Sequence, residues 1–292
     1  MSLADHYQPG QLGISFELYP PRTDKGMESL MVQTERLMKF KPNYITCTYG
    51  AGGSTRDKTL DIVEAVKNQF HVPVASHLTC VGSSVDELRS YLAEAKSRGI
   101  DYIVALRGDP PMGETTFTPD PNGLRYANEL VALIASEFDD FGVVVAGYPE
   151  VHREAPCGNT DLENLKRKVD AGADVIVTQL FFRNQDFYEF RERCTAAGIT
   201  VPIVPGIFPI INFAQITKIA SLCGAYVPPE LTDKLAQRPD DAQWHFDVGV
   251  EFAAKQVQDL VDHGIPGLHF YVLNQSEATS QILENLQLPE VK

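Results

Sequence analysis

The sequence predicts a single (β/α)8 barrel, and three observations carry that prediction. Eight short apolar runs alternate with amphipathic stretches. Several runs, among them IVALRG, VVVAGY, VIVTQLFF and VPIVPGIF, are almost continuously apolar, as parallel strands buried on both faces must be. Polar residues gather at the carboxyl ends of these runs, where barrels of this kind place their chemistry.

In chain order, the first strand is Ile14 to Tyr19, followed by a helix from Met27 to Phe40. Strands at Tyr44 to Tyr49, Val72 to Cys80 and Tyr102 to Asp109 precede helices at Arg56 to Gln69, Val85 to Arg98 and Gly123 to Phe138. Strands at Val143 to Pro149, Val175 to Phe182 and Val201 to Phe208 precede helices at Asp161 to Ala171, Gln185 to Ala197 and Phe213 to Leu222. Extra material follows the seventh strand, with helices at Pro229 to Leu235 and Ala242 to His263. The eighth strand, Leu268 to Leu273, and a helix from Glu277 to Leu286 close the series. Glycines 99, 172, 198 and 264 stand where helices should stop. The structural rival is an open doubly wound sheet. Against it, the first strand runs into PPRTDKGM and not into a glycine-rich dinucleotide turn.

A chain of 292 residues, 43% hydrophobic, can bury a large core. Its net charge of −14 argues against nucleic acid, whose phosphates need a surplus of Lys and Arg. No apolar run approaches the roughly 20 residues of a membrane span, and MSLADHYQPG lacks the basic and apolar regions of an export signal, so a cytoplasmic protein is expected. Five cysteines with no CxxC pair suggest neither a disulfide framework nor a zinc cluster.

At the strand ends stand Glu17, Thr48, Tyr49, His77, Arg107, Asp109, Tyr148, Gln179, Asn274 and Gln275. Glu17 lies in the apolar run ISFELYPP, where desolvation would raise its pKa and suit it to general acid work; the alternative is an internal salt bridge. Arg107 and Asp109 share a face, with Gly108 between them admitting a ligand to the backbone. A simple ion pair between them, ordering the long Pro110 to Asn122 loop, is the plainer reading. Thr160 and Glu163 form a possible capping box. The helix it would start puts Asp161, Asn164 and Lys168 on one face with Arg167 beside them, either as a solvated surface or as a pyrophosphate seat. His77 and His152 have no third ligand at metal spacing on the same element, so no metal is expected.

The segments SFELYPPR, TYGAGGSTRD, SHLTC, ALRGDPP, GYPEVHREA, LKRKVDAGAD, TQLFF, PGIFPI and LHFYVLN, in this order, resemble the methylenetetrahydrofolate reductase family from Ile14 to about Leu286, in its short bacterial form without a regulatory domain. The resemblance implies a barrel carrying FAD, which NADH or NADPH reduces and which then reduces 5,10-methylenetetrahydrofolate to 5-methyltetrahydrofolate in ping-pong fashion. That reaction serves one-carbon metabolism and methionine supply. A homo-oligomer is also expected from it. It gives Glu17 the role of proton donor to the folate and Asp109 that of a fixed negative charge beside flavin and pterin. Gln179, Phe213 and Gln275 are implied as folate contacts and Thr48 as a nicotinamide contact. Tyr49, Ala51, His77, Arg107, Gly108, Asp109, Ala127, Tyr148, His152, Ala155, Asp161, Asn164, Arg167 and Lys168 are implied as flavin contacts. Gln275 is a departure, since relatives often carry Arg there, and the loss of a charge puts binding of anionic groups at that point in doubt. A pterin-dependent methyltransferase is the rival enzyme; it would need a cobalamin partner or a thiolate-zinc site, and the cysteine set for the latter is missing.

Overall fold

A computed structural model describes residues 2–8, 10–49, 56–110 and 117–287. All strand pairings in it are parallel. The strands are β1 (Gly13–Leu18), β2 (Tyr44–Cys47), β3 (Val74–Thr79), β4 (Tyr102–Leu106), β5 (Gly142–Gly147), β6 (Val175–Thr178), β7 (Ile203–Val204), β8 (Gly206–Ile207) and β9 (Gly267–Tyr271). The helices are α1 (Asp24–Met38), α2 (Arg56–Phe70), α3 (Val85–Ser97), α4 (Ala127–Glu137), α5 (Gly158–Asp170), α6 (Asn184–Ala196), α7 (Phe213–Cys223), α8 (Pro229–Ala236), α9 (Ala242–Asp262) and α10 (Glu277–Glu284).

The strand order β7-β6-β5-β4-β3-β2-β1-β9-β8 accounts for the ninth strand. The expected seventh strand is broken at Pro205, which has no N–H for the ladder. Ile203–Val204 pairs with β6 and Gly206–Ile207 with β9, so the two halves of one crossing reach different neighbours and complete a barrel. Strands also end earlier than the apolar runs do. Arg107, Gly108, Asp109 and Gln179 therefore lie just beyond β4 and β6, on the connecting loops.

Three helix starts differ from expectation by more than one residue. Helix α1 begins at Asp24 and not at Met27, because the Thr23 side chain accepts from Gly26 N and caps it there. Helix α4 begins at Ala127 and not at Gly123, because Gly123 N donates to Asp120 O in a turn and pairs with Ser84 in a bridge. Helix α5 begins at Gly158 with Cys157 as its extended N-cap, so Thr160 is already inside the helix and caps nothing. The glycine stops all hold, with φ from +68° to +118°.

The core has three parts. Tyr44, Ala75, Val104, Val144, Val177 and Val204 fill the barrel, and its amino end is plugged by Leu3 and Tyr7 from a short 3-10 helix, Leu3–Tyr7. Outward-facing residues such as Phe16, Leu18, Ile45 and Ile103 pack under the helices. A third cluster, including Leu180, Phe208, Ile216, Leu231 and Val248, joins the β6 and β8 ends to α7, α8 and α9. With Phe16 and Leu18 facing out, alternation turns Ser15 and Glu17 into the barrel. None of the described helices is long and apolar enough to cross a membrane.

Candidate active site

Glu17 lies near the carboxyl end of β1, paired in register with Thr46 and Tyr271. Two histidines flank its Oε2, His77 Nε2 at 3.3 Å and His269 Nε2 at 3.5 Å. The His77 approach is an ion-pair distance without hydrogen-bond alignment, and its Nε2 has no hydrogen-bond partner among the described residues. His269 is fixed from behind, its Nδ1 2.8 Å from Ser15 Oγ. This corrects the expected raised pKa. Burial by itself pushes the Glu17 carboxyl up, but the charge of His77, with hydrogen bonding and charge from His269, outweighs it and holds the group at about 2. The structure sets Glu17 in an internal carboxylate–histidine cluster at the carboxyl mouth of the barrel.

These groups line a cavity of about 400 Å³ together with Arg107, Gly108, Asp109, Tyr148, His152, Gln179, Ile219 and Tyr271. Asp109 is exposed there. Gly108 has φ +89°, and a Cβ on it would meet the Val81 side chain at 2.7 Å, so its glycine answers to backbone shape and close packing on β3's exit.

A second cavity, about 690 Å³, shares Leu106, Arg107, Ala146, Tyr148 and His152 with the first. Ala127, Ala155, Asp161, Asn164, Arg167 and Lys168 complete the part expected from the resemblance, joined by Arg125 and Glu154. Helix α5 lies along this cavity. Arg167 and Lys168 stand in its last turn, far from the N-terminal N–H groups, so their side chains and not the helix dipole supply positive charge. Lys168 Nζ donates to Ala146 O, and burial, opposed by Asp161, lowers the amine to about 8. Among the described residues no carboxylate lies within ion-pair distance of it.

Arg107 does not pair with Asp109. Its guanidinium grips Glu154 through two nitrogens and lies 5.0 Å over the Phe117 ring. Burial raises the Tyr148 phenol, with Asp161 and Asp109 adding to it, and burial lowers His152, whose ring meets Tyr148 edge-on at 4.6 Å.

Several expected contacts lie elsewhere. Tyr49 packs edge-on against Tyr91 in the outer core, because two residues after outward-facing Cys47 its side chain also turns outward. Thr48 extends the ladder, N donating to Leu18 O at 2.8 Å, and lines neither cavity. Phe213, at the start of α7, faces the His245 ring at 6.2 Å and lines neither cavity; from the same helix Ile219 does. Gln275 is exposed outside both. Asn274 clasps the Tyr19 backbone, accepting from its N at 3.0 Å and donating to its O at 2.8 Å, which ties the ends of β1 and β9. Ala51 lies outside the described residues.

Sequence reasoning missed His269, Tyr271 and Glu154. The signal for the first two was alternation in LHFY, but it points inward only once the β1–β9 register sets Ser15 opposite His269.

Among solved structures, an uncharacterized Clostridium thermocellum protein described as binding two copies of 5-methyl-5,6,7,8-tetrahydrofolic acid superposes with a TM-score of 0.64 at 13% identity, covering 97% of this chain and 96% of that one. A dihydropteroate synthase from Xanthomonas albilineans gives 0.51 at 13%, covering 94% and 92%. At such identities these share the fold alone. The 5,10-methylenetetrahydrofolate reductase of Escherichia coli is 41% identical over 95% of this chain and 91% of its own. The Arabidopsis thaliana methylenetetrahydrofolate reductase (NADH) 1 is 40% identical over 96% of this chain, which spans 49% of that longer protein. Matched along residues 2–287 to the family described as methylenetetrahydrofolate reductase, and four-tenths identical to these members of it, the chain belongs to that family.

Proposed function

We propose that this chain reduces 5,10-methylenetetrahydrofolate to 5-methyltetrahydrofolate with NAD(P)H through bound FAD. The observation that carries the reading is a buried carboxylate, Glu17 between two histidines, at one end of a cavity that shares part of its wall with a second, cation-lined one. Family membership and the folate named for the reductase relatives support it.

The second cavity suits FAD. Lys168 is a half-buried amine with no carboxylate within ion-pair distance among the described residues, Arg167 and Arg125 line the same cavity, and a diphosphate would supply counter-charge. Ala127 and Ala155 leave room along the wall. Bound flavin would supply hydride transfer, accepting two electrons from NAD(P)H and passing them to the folate.

The protein's own groups then have distinct tasks. His77 and His269 hold the Glu17 carboxyl low, so the proton for the folate is handled by the carboxylate–histidine cluster as a unit and passes through Glu17 as the imidazolidine ring opens to an iminium cation. Ser15 orients His269 for this. Asp109, an anion at the rim, stabilises the cation. Gln179, on the same wall, offers an amide to the folate.

The test is anaerobic and spectroscopic. Purified protein, reconstituted with FAD if needed, should show flavin absorbance that NADH or NADPH bleaches and methylenetetrahydrofolate restores. Protein that takes up no flavin, or whose reduced flavin is not reoxidised by the folate, would overturn the reading.

A further inference from the structure

The loop after β5 sends three consecutive side chains to three places. His152 lines both cavities, and Glu154 holds Arg107. Arg153 turns away and donates from Nη1 to the carbonyls of Leu222 at 2.8 Å and Ser221 at 3.2 Å, in the last turn of α7. Its methylenes lie across Gly224, the left-handed cap of that helix (φ +76°), where a Cβ would come within 2.8 Å of Arg153 Cγ. The same loop holds the chain beyond the helix, since Glu150 Oε1 accepts from Tyr226 N at 2.9 Å.

Carbonyls at a helix C-terminus lack intrahelical donors and carry partial negative charge, so a guanidinium there fixes the last turn. Ile219, two residues before Ser221, lines the catalytic cavity beside Glu17 and Gln179. The loop is itself anchored in the cofactor-side cavity, through His152 N donating to Asp161 and Glu154 pairing with Arg107. Arg153, an exposed side chain, thereby helps to register one wall of the catalytic cavity against the other cavity, with Glu150 holding the chain that follows α7.

We propose that Arg153 is a positioning residue for the folate: it sets α7, and with it Ile219, against the loop that borders the cofactor. The assignment rests on the reductase reading above. Arg153 touches neither cavity, so the two half-reactions separate its effect from a general loss of structure.

In the FAD-loaded enzyme, Arg153→Ala should raise KM for methylenetetrahydrofolate about five- to tenfold, the loss of a charged hydrogen bond. The rate of flavin reduction by NAD(P)H, the flavin content and the Tm should stay near those of the parent. Arg153→Lys, which restores one donor and the charge, should recover part of the KM. An unchanged KM, or a fall in flavin reduction or flavin content equal to the effect on folate, overturns the assignment. A parent protein that reduces no folate overturns the reductase reading and this inference with it, whereas an active parent and an unmoved KM in the variant overturn the Arg153 assignment alone.

Discussion

Replacing Lys168 with Met should make the flavin-free protein more stable and a poorer host for FAD. Burial, only partly relieved by Asp161, lowers the amine from 10.5 to about 8. Between those values the unfolded chain binds more protons than the native one, so native stability rises with pH across this window and the full cost is present below it. At pH 7 that cost is roughly 3 kcal/mol. Methionine removes it but forfeits the bond to the Ala146 carbonyl, a charged hydrogen bond worth about 1.5–3 kcal/mol. The net gain is then about 1 kcal/mol, or roughly 2–4 °C in Tm. Loss of a cation facing the diphosphate should weaken FAD binding at least about tenfold. Flavin-fluorescence titration of stripped protein and thermal unfolding at pH 7 and pH 10 read both quantities, and the Tm difference should narrow at pH 10. A variant that is less stable at pH 7 and binds FAD unchanged would refute the electrostatic account of this cavity.

Three further outcomes concern the proposed folate reduction. Glu17→Gln should keep NAD(P)H oxidation with an artificial acceptor and lose folate reduction by about a hundredfold or more; equal loss of both would remove Glu17 as proton donor. Asp109→Asn, at an exposed position, should leave Tm and bound FAD unchanged while slowing folate reduction, and an unaltered rate excludes Asp109 from the chemistry. Gln275→Arg should lower KM for the folate at low ionic strength and lose that advantage in salt; a KM insensitive to both would show that the position meets no ligand.

Strand and helix order were legible because burial on two faces leaves an unmistakable apolar run, and Glu17 was legible as a charge inside one. What periodicity could not supply was register. Whether His269 looks at Glu17 or at a helix depends on a one-residue choice in pairing β9 with β1, made by contacts distant in sequence. The same limit applies to Arg107, whose neighbour in the chain is Asp109 but whose partner in space is Glu154. Thr160 failed as a cap because a local motif yields when the preceding backbone, at Cys157, is already extended and the helix starts earlier. The Glu17 pKa was misjudged for a related reason: burial was visible in the sequence, but the two charges that offset it were not.

The break at Pro205 bears on when activity first becomes possible. Pro205 O accepts from His269 N at 3.0 Å, and Ser15 reaches His269 across 254 positions of sequence. Strands β1 and β9 therefore meet at Glu17 itself, beside the seam where the interrupted strand completes the ring. On the proposed reading, the cluster that handles the proton is complete only when β9 has paired with β1. Turnover thus reports on ring completion, and damage at the seam should silence catalysis before it unfolds the protein.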